Sequence, residues 1–536
     1  MKVNIVVVGG GATALSFLRS FYDEAVRSVV SQPLTIYVVE KRRFKGRGLA
    51  YDLDVPTNLL NTRAGFITPF ADKPGHFFEW LGSNRAHWED EFPLLEVSAD
   101  TFVPRPLFGL YLEYMMSDLA GLFAAIGVEL VQVRGEVISL ELGSRDNVLA
   151  TTDAGLRITA DHAVLCCGNL QSREYSALEA YSGFFASPYP IGRLTRNARS
   201  KASVAILGAR LSAIDVALGL ANGGFEGVMT MFSRSGYFPS VRGTQGRYTP
   251  SIMTLERLQQ QFEGHGPIRL PLVIDWMMQE LIAAGSPAID VAKLPPPAPL
   301  DVVAFFESEI AAAAAPRPWQ AVLYATNSVI DYLWQVLHDD DRAMFMSRYS
   351  AAWMSYRVSI PVENASRLVN LAKSGRLSFR TGAASVLPET RGGFTIATKT
   401  ARDNDVSEHF DMVVGAFGTP RDAAQIDSPL IHALLTSRLA CAHRHGGLVV
   451  DPATSALVNA YGEASHQVSV LGELTSGVHF FTSVLEINAR HAARLAKRVC
   501  AQTARRSERM PISLSPAPSL SPPVASYGDH PTAPLQ

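Results

Sequence analysis

An α/β fold with two Rossmann-like units and a helical insert is what the sequence predicts, and three observations predict it. Two apolar runs rich in β-branched residues each end at a glycine turn and open into a helical stretch, once after Val8 and again after Leu207. The stretch from about Pro239 to Ser374 carries helical rather than strand-like spacing. A chain of 536 residues also exceeds what one hydrophobic core supports, so two or three units are required.

Residues Val3 to Val8 read as a buried parallel strand, Ala12 to about Val26 as a helix with Leu15, Phe17, Leu18 and Phe21 on its apolar face, and Leu34 to Glu40 as a second strand. Together they make a βαβ unit. Gly, Pro and Asn punctuation from Lys41 to about Asp100 predicts loops. A helix is expected over Leu110–Ile126, then strands at Val128–Val133, Val137–Leu142 and Val148–Thr152, and an apolar run from Ala163 into Cys166-Cys167-Gly168. The second βαβ unit is expected as Val204–Leu207, Ser212–Ala221 and Gly227–Phe232. The helical stretch that follows is broken at Leu294-Pro295-Pro296-Pro297 and at Ala311–Ala315. A strand at Leu377–Arg380, a hairpin through Phe394–Thr398, an apolar run from Met412 to Ala416 and a last helix from Val484 to Cys500 complete the order. The expected organisation is a first unit made of 1–195 and 376–505, with the second unit and its helical insert at 196–375 between them. The Pro- and Ser-rich residues 506–536 have little to bury and read as a disordered tail.

Composition narrows the function. A formal net charge of -2 offers no surplus of cations to release counterions from a polyanion, which excludes nucleic acid and anionic membranes as expected partners. The four cysteines, Cys166, Cys167, Cys441 and Cys500, form no C-x-x-C pair, so no dithiol motif or metal ribbon is expected, and no metal site. The opening MKVNIVVVGGG leaves no room for a removable leader, and no apolar run reaches membrane length, so a soluble cytoplasmic protein is expected.

The first turn reads Gly9-x-Gly11-Ala12-Thr13-Ala14. Gly9 permits the tight exit from the strand, Gly11 lets backbone approach a diphosphate, and Ala14 lets helix pack closely on strand. Glu40, at the end of the next strand, suits ribose hydroxyls and repels a 2′-phosphate; Lys41 follows it. The second turn, Gly208-Ala209-Arg210-Leu211-Ser212, replaces the second glycine by Arg210. Ser233 and Arg234 stand where an acid would choose NAD, which suits the 2′-phosphate of NADPH.

These motifs make the chain resemble the FAD/NAD(P)-binding oxidoreductases with two dinucleotide folds. It is similar, more narrowly, to a bacterial family with matching segments Gly48-Leu49-Ala50-Tyr51, Leu59-Leu60-Asn61, Phe77-Phe78-Glu79-Trp80-Leu81, Phe102-Val103-Pro104-Arg105 with Gly109-Leu110-Tyr111, and Ser233-Arg234 near Gly236 and Pro239. The likeness runs over about residues 3–500 and is patchy between about 240 and 350. It implies FAD on the first unit and NADPH on the second, with Gly168 and Gly418 at the crossings between units and the Gly472-Glu473 pair against the flavin. Because the wider group includes N-oxygenases, it implies a monooxygenase that takes a small polar substrate, an amino acid first, and O2 through a C4a-hydroperoxyflavin to a nucleophilic nitrogen or sulfur. A flavin reductase and a flavin-binding sensor stay open beside it. Asn61 and Arg63 are expected near the isoalloxazine, Arg105 and Tyr111 at a substrate carboxylate, and Tyr356, Arg357 and His479 as further candidates. Surface arginine, turn-capping asparagine and a plain aromatic cluster are the structural alternatives.

Overall fold

The computed structural model describes residues 2–28, 33–43, 46–144, 146–244, 246–287, 301–399 and 405–508. Its first sheet has six strands in the spatial order Ala456–Val458, Ala464–Val470, His162–Leu165, Val3–Val8, Leu34–Glu40 and Val128–Arg134. Val3–Val8 pairs in parallel with a strand on either side. Its central place explains why its sequence is a continuous apolar run rather than an alternating one. Helix Ala12–Ser28 buries Leu15, Phe17, Leu18 and Phe21 against this sheet. The last helix, Leu485–Glu508, packs on Ala12–Ser28 and adds Ala492, Leu495, Ala496 and Val499 to the same core. The last described helix therefore returns to the core of the first.

The second sheet runs Leu377–Thr381, Val228–Ser233, Ser203–Leu207, Met412–Gly415 and Phe184–Phe185, all parallel. The expected boundaries at 195 and 375 cut across this sheet, which takes in Phe184–Phe185, Leu377–Thr381 and Met412–Gly415. Phe184–Phe185 and both later strands belong to the second unit, because their ladders are made with Met412–Gly415, Ser203–Leu207 and Val228–Ser233. The chain rejoins the first unit's core only from Ala423, which packs with Val6 and Val8.

Helices Leu255–His265, Leu270–Ala283, Val302–Ala313, Pro318–Ala325, Ile330–Val336, Asp339–Met344, Ser350–Arg357 and Val362–Lys373 make up the insert. The expected break at Ala311–Ala315 falls where helix Val302–Ala313 ends, ahead of the next helix at Pro318. Alanine is the strongest helix former, and the Asp301 carboxylate accepts the Ala304 N–H at 3.0 Å to cap the start. Helix His76–Ser83 lies in a region expected to be loop; its buried Phe77, Trp80 and Leu81 are too few to stand out as a period. The Leu294–Pro297 run lies outside the described residues, as does the expected tail beyond Glu508. Two three-stranded antiparallel sheets, Val137–Ala160 and Ala383–Phe410 in outline, complete the fold.

Candidate active site

The two Rossmann-like turns are built alike. Gly9 N–H donates to the Val39 carbonyl at 2.8 Å and Cys166 N–H to Val8 at 2.7 Å; Gly208 N–H donates to Phe232 and Ala416 N–H to Leu207, both at 3.0 Å. In each, a neighbouring strand's carbonyl presses on the first glycine. A Cβ on Gly9 would sit 2.3 Å from the Cys166 oxygen, and one on Gly208 would sit 2.5 Å from the Ala416 oxygen. Gly168 and Gly418 follow those pressing strands directly, each with open space where a Cβ would go. The φ angles, +95° and +144°, also favour glycine.

Around the first turn three distant glycines leave a surface free of side chains. A Cβ on Gly11 would meet the Gly48 Cα at 3.4 Å, and one on Gly472 would meet the Thr13 hydroxyl at 3.6 Å. Helix Ala12–Ser28 starts at this glycine-lined surface, and the free N–H groups of a helix start suit an anion. Glu40 is buried, and its carboxylate accepts the Gly10 and Arg42 N–H groups, each at 2.9 Å. That holds the acid beside the turn, where ribose hydroxyls would come. Lys41 pairs with Glu136 at 3.1 Å on the exposed rim. Glu473 is enclosed next to this surface, its carboxyl pushed up by burial while the Thr482 hydroxyl donates to it at 3.2 Å.

The second turn is cationic. Arg210 caps helix Leu211–Asn222 from outside and donates to the Ala351 carbonyl at 3.3 Å; Leu211 and Ser212 begin the helix. Burial, with Arg421 and Arg234 nearby, pulls the Arg210 guanidinium below its ordinary range. Arg234 is exposed, whereas Ser233 is buried with its hydroxyl spent on the Tyr237 carbonyl at 3.2 Å. Arg421 is the member of this group that sequence reasoning missed; its closeness to Gly418 was the available signal.

The remaining candidates divide. Arg105 is committed to Asp215 and to the Tyr189 hydroxyl, so its fork is filled within the protein rather than offered to a carboxylate. Tyr111 is fully buried, its hydroxyl bonded to His76 at 2.8 Å within the core. Arg63 spans Asp100 at 3.0 Å and the Gly243 carbonyl at 2.9 Å. Asn61 takes a hydrogen bond on its carbonyl from Arg242 at 2.9 Å. Arg357 is buried, donating to Asn327 at 2.5 Å, and Tyr356 packs edge-on against Trp319. Asn61, Arg63 and Arg357 therefore gather in one region, through Arg242 and Tyr324, which the sequence did not flag.

His479 lies 4.1 Å, ring to ring, from His491, which bonds Asp331 at 3.0 Å, and its Nδ1 meets the Gln335 amide at 3.1 Å. Burial depresses the His479 imidazole to about 3, and burial likewise brings His443 and His445 to about 4. The unfolded chain binds these protons below about pH 6.5 and the folded chain does not, so their contribution is complete above that pH and is lost as pH falls toward 3 to 4. For His479 alone the loss at about pH 5 is roughly 2 kcal/mol. Urea unfolding at about pH 7.5 and pH 5 is expected to show this drop, reduced in His479→Gln; equal drops in both proteins would contradict it. Among the described residues no group of three or more His, Cys, Asp or Glu side chains is placed to hold a metal, and no helix is long and apolar enough to cross a membrane.

Twin glycine turns on two largely parallel sheets, with helix Leu485–Glu508 folded back on the first, define a two-dinucleotide-binding α/β fold. Residues 6–170 match the model of a family described as FAD-NAD(P)-binding. An ornithine N-hydroxylase of Kutzneria sp. 744 is similar in structure, with a TM-score of 0.54 at 16% identity over 95% of this chain and 100% of that one. So is an L-lysine 6-monooxygenase from Pseudomonas syringae, with a TM-score of 0.55 at 16% identity over 93% and 99%. An ornithine hydroxylase from Pseudomonas aeruginosa gives 0.54 at 13% identity over 94% and 100%. At these identities the likeness is one of fold. The sequence matches no curated protein.

Proposed function

We propose that this chain is an FAD-dependent, NADPH-consuming monooxygenase that oxygenates the nitrogen of a small polar amine, an amino acid in the first instance. The carrying observation is the pair of turns with opposite dressing. Glu40 beside Gly9–Gly11 suits an unphosphorylated ribose, and Arg210, Arg234 and Arg421 beside Gly208 suit a phosphorylated one. The likeness in fold to ornithine and lysine hydroxylases supports the reaction class. When bound, the two groups supply hydride transfer and oxygen activation; the chain supplies position and field.

The glycine surface at Gly11, Gly48 and Gly472 would hold the flavin's diphosphate, and the start of helix Ser476–His479 follows directly from Glu473. The cysteines argue against a disulfide reductase. Burial pushes the Cys167 thiol up to about 12 and the adjacent Cys166 well above its ordinary value, so neither is a ready thiolate.

The direct experiment mixes the yellow protein anaerobically with NADPH, then NADH, and admits air with candidate amines. Bleaching by NADPH, then hydroxylamine product in step with oxygen uptake, is the expected result; absence of bleaching would sink the reading. Arg234→Ala is expected to lower kcat/KM for NADPH by roughly tenfold to a hundredfold, the loss of a charged hydrogen bond, with NADH little changed. Equal losses for the two nucleotides would remove Arg234 from the 2′-phosphate.

A further inference from the structure

Two chain segments outside the two turns, at Arg242 and at Arg357–Ser359, converge on Tyr324 in helix Pro318–Ala325. The Arg242 guanidinium lies 3.9 Å from the centre of its ring and that of Arg357 4.2 Å. Its hydroxyl shares a 2.8 Å hydrogen bond with Ser359, whose oxygen also accepts from Arg242 Nε at 2.8 Å. Arg242 donates onward to the Asn61 carbonyl, and Arg357 to Asn327 while resting 4.9 Å from the Phe481 ring centre.

Every one of these acceptors is neutral. Among the described residues neither Arg242 nor Arg357 forms an ion pair with a carboxylate, and Arg357, 4% exposed, keeps an Nε without a partner. Glu486, whose charge acts on Arg357, is itself paired with Arg490 at 3.6 Å. Removing two cations from water costs several kcal/mol, and contact with an aromatic face returns only about 2. An anion that accepts from the unspent Arg357 Nε beside the Tyr324 ring would offset that cost with a charge-assisted hydrogen bond. Tyr324, Asn61 and Arg242 are each only half-buried, so this cluster is in part open to solvent.

We infer that Arg242, Tyr324 and Arg357 form a carboxylate-recognition site. The source is either the carboxylate of the amine substrate, in which case the inference rests on the reaction proposed above, or a free carboxylate bound beside it. The site does not depend on that reaction.

Calorimetry on the full-length, FAD-loaded protein tests it with sodium acetate, L-ornithine and putrescine, the last being the same diamine without a carboxylate. Acetate is expected to bind and to compete with L-ornithine, and L-ornithine to bind about tenfold to a hundredfold more tightly than putrescine. Arg357→Gln and Arg242→Gln are each expected to erase that preference and leave putrescine unchanged. Acetate binding with equal affinity for the two diamines, or with no diamine binding at all, assigns the site to a free carboxylate. No acetate binding together with no preference for ornithine in the wild-type protein overturns the proposal, and this comparison stands even where a variant fails to fold. A folded Arg357→Gln protein that binds acetate as the wild type does overturns it too. If no amine is hydroxylated while acetate binding survives in the wild type and is lost in the variants, the reaction fails and the site stands.

Discussion

Alanine at Gly9 is expected to yield a protein that carries no flavin and has lost on the order of 3–5 kcal/mol of stability, the range in which backbone clashes at special φ fall. The left-handed conformation alone accounts for about 1–2 kcal/mol of this. The rest follows from the Cys166 carbonyl, 2.3 Å from the new methyl. That oxygen cannot retreat, because Cys166 N–H is bonded to Val8 and the strand before it is paired along Ile5–Val8. Gly208→Ala meets the Ala416 oxygen at 2.5 Å in the same way but on the other sheet. On the proposed reading it keeps its flavin and loses reduction by NADPH. Gly155, with φ +79° and open space around it, is the control for conformation without clash. Flavin absorbance per chain, urea unfolding and anaerobic reduction separate the three proteins. Full flavin content and normal reduction in both turn variants would show that the glycine turns hold no dinucleotide.

Why the sequence revealed these turns and hid other features is a matter of range. A strand that ends in glycine and opens a helix is written in about a dozen consecutive residues, and Val3–Val8 and Leu34–Glu40 have the bounds that their apolar runs predict. Partnership at a distance is not written that way. Leu377–Thr381 is a short segment of alternating apolar and polar residues that could join either sheet, and only its ladder with Val228–Ser233 decides. Arg357 and Asn61 were legible as candidates, yet Arg242, Tyr324 and Ser359 carry no local mark. They meet only once the helical insert has folded over the Asn61 loop. Arg105 shows the converse: a cation beside a family-like segment reads as a ligand group until Asp215, 110 positions on, is found to occupy it.

That pair should give the second large effect: Asp215→Ala is expected to destabilise the protein by about 3–5 kcal/mol, since it strands Arg105 in the interior without its counter-charge. Asp215 is 4% exposed, and burial presses its carboxyl upward while Arg105 and Tyr189, whose hydroxyl donates at 2.6 Å, pull it down. The three side chains also join the units. Asp215 rides on helix Leu211–Asn222 behind the Gly208 turn, whereas Arg105 starts helix Arg105–Ala125 and its N–H is bonded to Asn58 beside the Asn61 loop at 2.6 Å. Loss of the carboxylate therefore loosens one dinucleotide turn relative to the other, and reduction by NADPH is expected to fall further than flavin content does. An apolar double variant, Arg105→Met with Asp215→Leu, removes both charges together and is expected to recover most of the stability, because the penalty lies in the unpaired cation and not in the missing bond. If urea unfolding finds the double variant no more stable than Asp215→Ala, the loss came from packing around helix Leu211–Asn222 and the charge argument fails.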